Sequence, residues 1–527
     1  MATFSRPVDL RNQPARVTSH FYQDQTEHEI NTMETLPEEM VEEIANHLTV
    51  NDLIACSAVC SAWREAFNQD SLWKPYCNKN KEEYLRVTPK VLTRGFEIPW
   101  TENSTLSPVC HWRMAYMREN YLRNNWRMGR YWTQAVIDEA SDLYPCVKTD
   151  SSKKKDTYFK KEVHADFFTN DLMLIMTEHY IELWSLLSDP VVNVCRLYHN
   201  VPGYVFKSFK RIETDPPGMI LVFFTGVQVF YMDPTSNTLF FKHMFYFNEN
   251  FRLPQMTQKF VVDMFSNKPF QFVECLVVDR LFFGVNKYCT SKVHVWDLEK
   301  GTKLREVGCP INVDCNVVDL KLSKEDGAIL VVFARLDPDY KNNPNREIAG
   351  TKYTAGMFYF FVYDSKKLAF LPFSHIQRIT NRYSSVIQKP YIAVSDGDKL
   401  DLYNYFTSVK IRTFTASLQY AGVTDKSIIF QSENAVQAFI TSNRTDLTMG
   451  NMYVSRFGVI HENFVRVVVR QRDRLRNEVW EVGTKFRKTG TLLPRWHFEV
   501  MTNPAGTRLL VREKVLSKRL ITVKHFW

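Results

Sequence analysis

The sequence predicts an α+β multi-domain protein: a small all-α unit, a helical linker, then a β-propeller. Three observations carry this reading. Leu36, Met40, Ile44 and Leu48 recur every four residues, which is one stripe of a helix. Beyond about residue 130 the apolar period falls from 3.6 to 2, the change from helix to half-buried strand. After that, a strand ending in an aromatic residue and a polar turn returns at near-constant spacing.

A chain of 527 residues is too long for one ordinary compact domain unless it is built from repeats. The 45% hydrophobic and 24% charged content is that of a soluble globular protein, and 14% aromatics with 38 Phe suit a β-rich core. The first residues, "MATFSRPVDLRNQPARV", lack the apolar run of a secretory signal. The most apolar stretch, "MILVFFTGVQVFYM" (219–232), has 14 residues; a membrane helix needs about 20. Gly226 and the Val/Phe enrichment make it two buried strands. Ten cysteines without close paired spacing read as reduced thiols of a cytoplasmic or nuclear protein. Cys56 and Cys60, four apart, read as packing residues on one helix face, because two ligands do not make a zinc site.

Residues 1–33 are polar and aperiodic and read as a disordered lead. Residues 34–77 form the helical cluster. Pro37 sits where a missing N–H costs nothing, and Glu38, Glu39, Glu42 and Glu43 suit the positive end of the helix dipole. Thr49, Asn51 and Asp52 are all candidate caps for a second helix, along which Leu53, Val59, Trp63 and Phe67 continue the apolar pattern. So few residues cannot bury this apolar set alone, so the cluster docks on the rest of the chain or on a partner. Residues 78–130 are a linker whose helix carries Trp112, Ala115, Leu122 and Trp126, with Gly129 as its stop.

Residues 131–527 are the propeller. The recurring strands are "IELWS", "VQVFYMD", "VHVWD", "FFVYD", "LDLYN", "VQAFIT", "VWEVG" and "LITVKHFW", starting 46, 66, 67, 40, 36, 43 and 41 residues apart. Most intervals fit the roughly 40–45-residue period of a four-stranded blade. The two long ones hold polar insertions at 248–258 and 335–353. "TYFKKEVH" (157–164) is expected to pair beside the final strand and close the ring, since an open ring exposes two edges. This gives eight blades, or seven if "VQAFIT" does not mark a blade of its own.

Charge is uneven. Residues 34–77 carry eight acidic and two basic side chains; residues 460–527 carry fifteen basic and six acidic. Ends of opposite sign predict two different partners. No phosphate loop, zinc-protease motif or nucleophile elbow is present, so the chain reads as non-catalytic, without cofactor or metal. "GTKFRKTGT" (483–491) lacks the end of a phosphate loop and reads as a turn, and His164 as a structural turn histidine. Arg466, Arg470, Arg472, Arg474 and Arg476 all fall at even positions, on one face if the strand is continuous. They read first as a solvated face, and second as a cluster gripping an acidic or phosphorylated protein segment. A nucleic-acid surface is weaker, since no stacking platform accompanies them. Nothing in the sequence calls for a membrane.

The pattern "LPEEMVEEIANHLTVNDLIACSAVCSAWREAFNQDSLWK" resembles the F-box motif, with Leu36, Pro37, Ile44, Leu48, Asp52, Leu53, Val59, Cys60, Trp63, Leu72 and Trp73 at its characteristic places. "WRMAYMRENYLRNNWRMG" is similar to the linker of F-box proteins with WD-type propellers, including its ending at Asn125, Trp126, Arg127 and Gly129. "KVHVWDLEKGTKL" is the best WD-like repeat; elsewhere Ser185 or Asn404 replaces the aspartate. The resemblance implies a substrate receptor of a Skp–cullin–F-box ubiquitin ligase. Leu36, Pro37, Ile44, Leu48, Leu53, Val59, Cys60 and Trp63 would then contact a Skp-type adaptor, and the propeller a protein substrate. The alternative is a scaffold that holds a partner without causing its degradation.

Overall fold

The computed structural model describes residues 36–87, 109–138, 164–176, 180–198, 206–223, 226–246, 275–286, 289–336, 347–348, 351–352, 355–379, 383–396, 399–415, 421–431, 436–449, 454–471, 474–493, 498–515 and 518–527. They divide between two compact units: 36–77 with 109–116, and 78–87 with the remainder from residue 117.

The first unit is helical. Its elements are α1 (Glu38–Asn46), α2 (Val50–Cys56), α3 (Ser61–Ala66) and α4 (Asp70–Trp73). Of the three candidate caps for α2, Thr49 takes the role. Its Oγ1 accepts from the Asp52 N–H at 3.3 Å, while the Asp52 carboxylate accepts from the Thr49 N–H at 2.9 Å. Val41, Ala45, Leu53, Phe67, Leu72 and Trp73 form the core. The sequence expectation of a cluster unable to bury itself is met partly from within the chain. Cys110, Trp112 and Tyr116 pack on this core, with the Tyr116 and Trp73 rings 5.5 Å apart. The Asn68 and Asp70 side chains accept from the N–H groups of Cys110 and Trp112, at 2.9 and 2.8 Å. Cys56 and Cys60 do not share a helix. Cys56 ends α2, whereas Cys60 is the extended residue capping α3, its Sγ accepting from the Trp63 N–H at 3.5 Å.

The second unit joins α5 (Lys79–Val87) and the rear of α6 (His111–Met128) to an eight-bladed β-propeller. Seven blades are antiparallel four-stranded meanders: 164–198, 206–246, 275–308, 316–379, 383–415, 421–449 and 454–492. The first strands of neighbouring blades contact one another, which makes them the inner wall of the ring. All eight recurring segments found in the sequence are third strands, one per blade. The apolar run at 219–232 is indeed two strands, Gly218–Phe223 and Gly226–Asp233.

The polar ending of these third strands has a local cause. Asp297 Oδ1 accepts from the N–H groups of Glu299 and Lys300, and Asp364 Oδ1 from those of Lys366 and Lys367. Asn404 Oδ1 does the same for Phe406 and Thr407, so asparagine there preserves the turn. In five of the blades the backbone turns left-handed four residues after the third strand ends, at Asn237, Gly301, Leu368, Ser408 and Arg444.

The eighth blade corrects one expectation. Its strands are Phe498–Thr502, Arg508–Val515 and Lys518–His525, and the fourth is Trp132–Asp138, which pairs antiparallel with Lys518–His525. The latch is therefore 132–138, not "TYFKKEVH". Residues 157–163 lie outside the described residues, and His164 opens the inner strand of blade 1, opposite Met176, rather than a turn. Val136 and Ile137 explain the choice: they enter one apolar cluster with Leu510, Ile521 and Val523 of blade 8 and with Ala165 and Phe167 of blade 1.

Candidate interaction surfaces

Exposure sorts the residues expected on the front surface. Pro37 is exposed, and Leu36, Leu48, Cys60 and Trp63 are half-buried. Ile44 is 38% exposed and Val59 64%. Leu53 is a correction. At 1% exposure it belongs to the unit's own core and has no surface to offer a partner. Two apolar residues absent from the expected set stand open, Met40 at 51% and Ile54 at 44%. Met40 and Ile44 lie one turn apart on α1, with the exposed Glu39 and Glu43 beside them. Val41 and Ala45, each one residue further on, face the core. The front unit thus closes its own core and still presents isolated apolar side chains in an acidic setting.

The Asn-Trp-Arg-x-Gly ending of α6 is a docking device, and each residue has a task. Asn125 Nδ2 donates to the Phe526 carbonyl at 2.8 Å. The Trp126 indole stacks on Phe526 and on Phe464, and its Nε1 donates to the Gly506 carbonyl at 2.8 Å. Arg127 grips Glu481 through two bonds of 2.6 and 2.8 Å. Gly129, at φ +66°, passes so close to Gly490 that a Cβ would lie 2.2 Å from its carbonyl oxygen.

Behind this ending sits a buried polar chain. Arg508, 3% exposed, donates through its terminal nitrogen to the Tyr84 hydroxyl at 2.8 Å and to Asp171 at 2.6 Å. Its Nε donates to His525 Nδ1 at 3.1 Å, and His525 Nε2 donates to Gln134 Oε1 at 3.0 Å. One guanidinium thereby links α5, blade 1, blade 8 and the latch strand. Burial, then the Arg508 charge, pushes His525 down to about 3, so the ring is neutral. Nearby, Lys81 of α5 pairs with Glu462 at 2.5 Å. Burial alone would raise Glu462, but hydrogen bonds and charge from His461 and Lys81 hold it well below the usual carboxylate range.

These contacts fall on turns 168–171, 461–463 and 503–507, all between a first and a second strand. In an antiparallel meander such turns share one end of the propeller. The second-to-third turns and the blade-to-blade crossings lie at the opposite end, away from these contacts.

The arginine run reaches that opposite end, but not as a single face. It folds as a hairpin of Phe464–Gln471 and Arg474–Val482. Arg472 lies outside the described residues. Gln471 pairs with Arg474, and Val469 with Arg476. Directly opposed residues share a face, so an odd position always faces an even one and the parity reverses across the turn. Arg466 and Arg470 therefore lie on the face of Phe464 and Val479, which pack toward blade 8. Arg474 and Arg476 lie on the face of Val467 and Val469, which pack toward blade 6. Arg470 and Arg476 are exposed, and Arg466 is half-buried with its Nε on Asn477 at 3.1 Å. The "GTKFRKTGT" segment is a turn followed by the outer strand Phe486–Leu492.

A model of the F-box-like family matches residues 33–79. The human F-box only protein 48 is 28% identical over 113 residues, which are 20% of this chain and 63% of that protein. The chain thus spans less than two thirds of that relative's length. Among solved structures, Hsv2 of Kluyveromyces lactis aligns over 62% of this chain and 98% of its own at 7% identity and a TM-score of 0.36. Sqt1 of Saccharomyces cerevisiae aligns over 60% of this chain and 80% of its own at 10% identity and the same TM-score of 0.36.

Proposed function

We propose, starting from an F-box-like domain at residues 33–79 followed by an eight-bladed propeller, that the chain is the substrate-recognition subunit of a Skp–cullin–F-box ubiquitin ligase. The observation that carries the reading is the front unit's surface. Its core is closed, yet Met40, Ile44, Ile54 and Val59 remain exposed within the matched domain. Burying a side chain of this size is worth roughly 1.5–3 kcal/mol, so a few such contacts support a stable complex. A Skp-type adaptor is the occupant, with Leu36, Pro37, Leu48, Cys60 and Trp63 at the margin of the contact. The adaptor brings the cullin, and the catalytic steps belong to other subunits of the complex.

The propeller holds the protein to be ubiquitinated, at the end opposite the linker. Arg470 at the tip of the blade 7 hairpin favours an acidic or phosphorylated segment there, through charge-assisted bonds. Cytoplasm and nucleus are the compartments that fit this role. The second reading is a scaffold that binds both partners without leading to degradation.

The test is affinity purification of wild type beside a Met40→Glu, Ile44→Glu double variant and a Leu36→Ala, Pro37→Ala double variant, with the proteasome blocked. Adaptor and cullin should be lost from both variants while propeller-bound proteins stay. Retention of the adaptor at wild-type yield by a folded glutamate variant overturns the reading. Unchanged half-lives of the captured proteins after removal of this chain favour the scaffold.

A further inference from the structure

Residues 309–315, Cys-Pro-Ile-Asn-Val-Asp-Cys, carry the chain from the outer strand of blade 3 (Thr302–Gly308) to the inner strand of blade 4 (Asn316–Leu322). This crossing lies at the end of the propeller opposite the linker contacts. Both cysteines are free thiols, Cys309 half-buried and Cys315 at 3% exposure. The Cys309 side chain lies near enough to the Cys315 thiol to raise it. Cys315 belongs to the apolar cluster of blades 3 and 4, and Cys309, Ile311 and Val313 pack against it. The Val313 N–H donates to the Ile311 carbonyl at 2.7 Å, a tight turn in the middle of the loop. Burial first, and then the Cys309 side chain, push the Cys315 thiol up to about 12, so the resting pair is not spontaneously reactive at its inner member.

We propose that Cys309 and Cys315 are an oxidisable dithiol that closes into a disulfide and fastens the crossing between blades 3 and 4. The oxidant is a peroxide. Cys309, the more accessible of the two, attacks as thiolate; its sulfur takes one oxygen, the O–O bond breaks and hydroxide leaves, giving a sulfenic acid. The Cys315 sulfur then attacks the Cys309 sulfur. The S–O bond breaks, and the hydroxyl departs with the Cys315 proton as water. Two thiols and one hydrogen peroxide become one disulfide and two waters, and a dithiol reductant reverses the change. The packed loop favours this step over further oxidation, because the resolving cysteine sits in the same apolar cluster. The inference is independent of the ligase reading, since it concerns only the chemistry of this loop.

The experiment treats the full reduced chain with graded hydrogen peroxide, alkylates the remaining thiols, and maps peptides by mass spectrometry without reduction. The 309–315 peptide should lose both alkylations together, with the mass of two hydrogens, at a dose at least fivefold below that affecting any other cysteine. Dithiothreitol should restore both thiols. In Cys315→Ser, Cys309 should stop at a sulfenic acid that dimedone traps. Persistence of both thiols at doses that oxidise Cys56 or Cys110 overturns the proposal, as does a bond from either cysteine to a different one. The wild-type measurement decides even if the variant does not fold.

Discussion

Trp126 lies flat on Phe526, with ring centroids 3.9 Å apart and planes 8° from parallel. The first aromatic ends the linker helix and the second follows the last strand of the ring, so a single stack fixes the helix to the propeller's seam. Replacing Trp126 by Ala removes that stack and the bond to Gly506, at a cost of about 3–5 kcal/mol. Trypsin should then cut within α6, at Arg118 or Arg123, much faster than in wild type, while the propeller resists. Equal cleavage rates would mean that the helix is held by other contacts.

The latch strand can be tested by which of its faces tolerates charge. Val136 is fully buried and Thr133 is exposed. Val136→Lys places an unpaired charge in the seam, which costs on the order of 3–5 kcal/mol, whereas Thr133→Lys should change the melting temperature little. Equal melting temperatures for the two variants would reassign the closure of the ring.

Acidification should loosen the same seam. The folded protein holds His525 neutral down to about pH 3, while the ordinary value is 6.5. Below pH 6.5 the unfolded chain takes up a proton that the folded chain refuses. The contribution is complete above pH 6.5 and is lost progressively as pH falls toward 3. At pH 5 the loss is about 2 kcal/mol. The stability difference between wild type and His525→Gln, measured by denaturant unfolding at pH 7 and pH 5, should shift by that amount against wild type. No shift would show that His525 is already protonated in the fold.

The hairpin predicts an asymmetry between two arginines that look equivalent in the sequence. Arg470→Glu should weaken capture of a phosphorylated or acidic partner at least tenfold, because Arg466 stands on the same face. Arg476→Glu, on the other face, should stay within about twofold. Affinities measured by biolayer interferometry with a captured partner, with and without phosphatase treatment, provide the check. Equal losses would mean that both faces are engaged.

The propeller was legible because its marker is local. An Asp or Asn that closes a turn through its own side chain recurs at Asp233, Asp297, Asp364 and Asn404, where third strands end, and a reader needs no distant residue to see it. The latch was not legible for the opposite reason. "WTQAVID" ends in Asp138 but without the aromatic before it, and its partner strand begins at Lys518, so only the packing of Val136 and Ile137 identifies it. On α1, positions 40, 41, 44 and 45 are all apolar, and the four-residue period alone could not decide which stripe faces inward. The arginine face failed on parity, because Phe464–Gln471 and Arg474–Val482 pair antiparallel, which reverses the assignment that a continuous strand would have given. The linker ending was found by resemblance, but the task of each of its residues required the coordinates.

Trp132–Asp138 and Lys518–His525 are neighbours in the finished ring, but the ribosome makes them about 380 residues apart. At roughly 5–20 residues per second, the first strand waits some 20–80 s for its partner. The helical unit is complete once residue 116 has left the exit tunnel, long before that partner exists. Throughout the interval the nascent chain carries a finished front, a growing row of blades and an unmatched apolar strand between them. A chaperone that shields that strand during synthesis would govern the yield of closed rings.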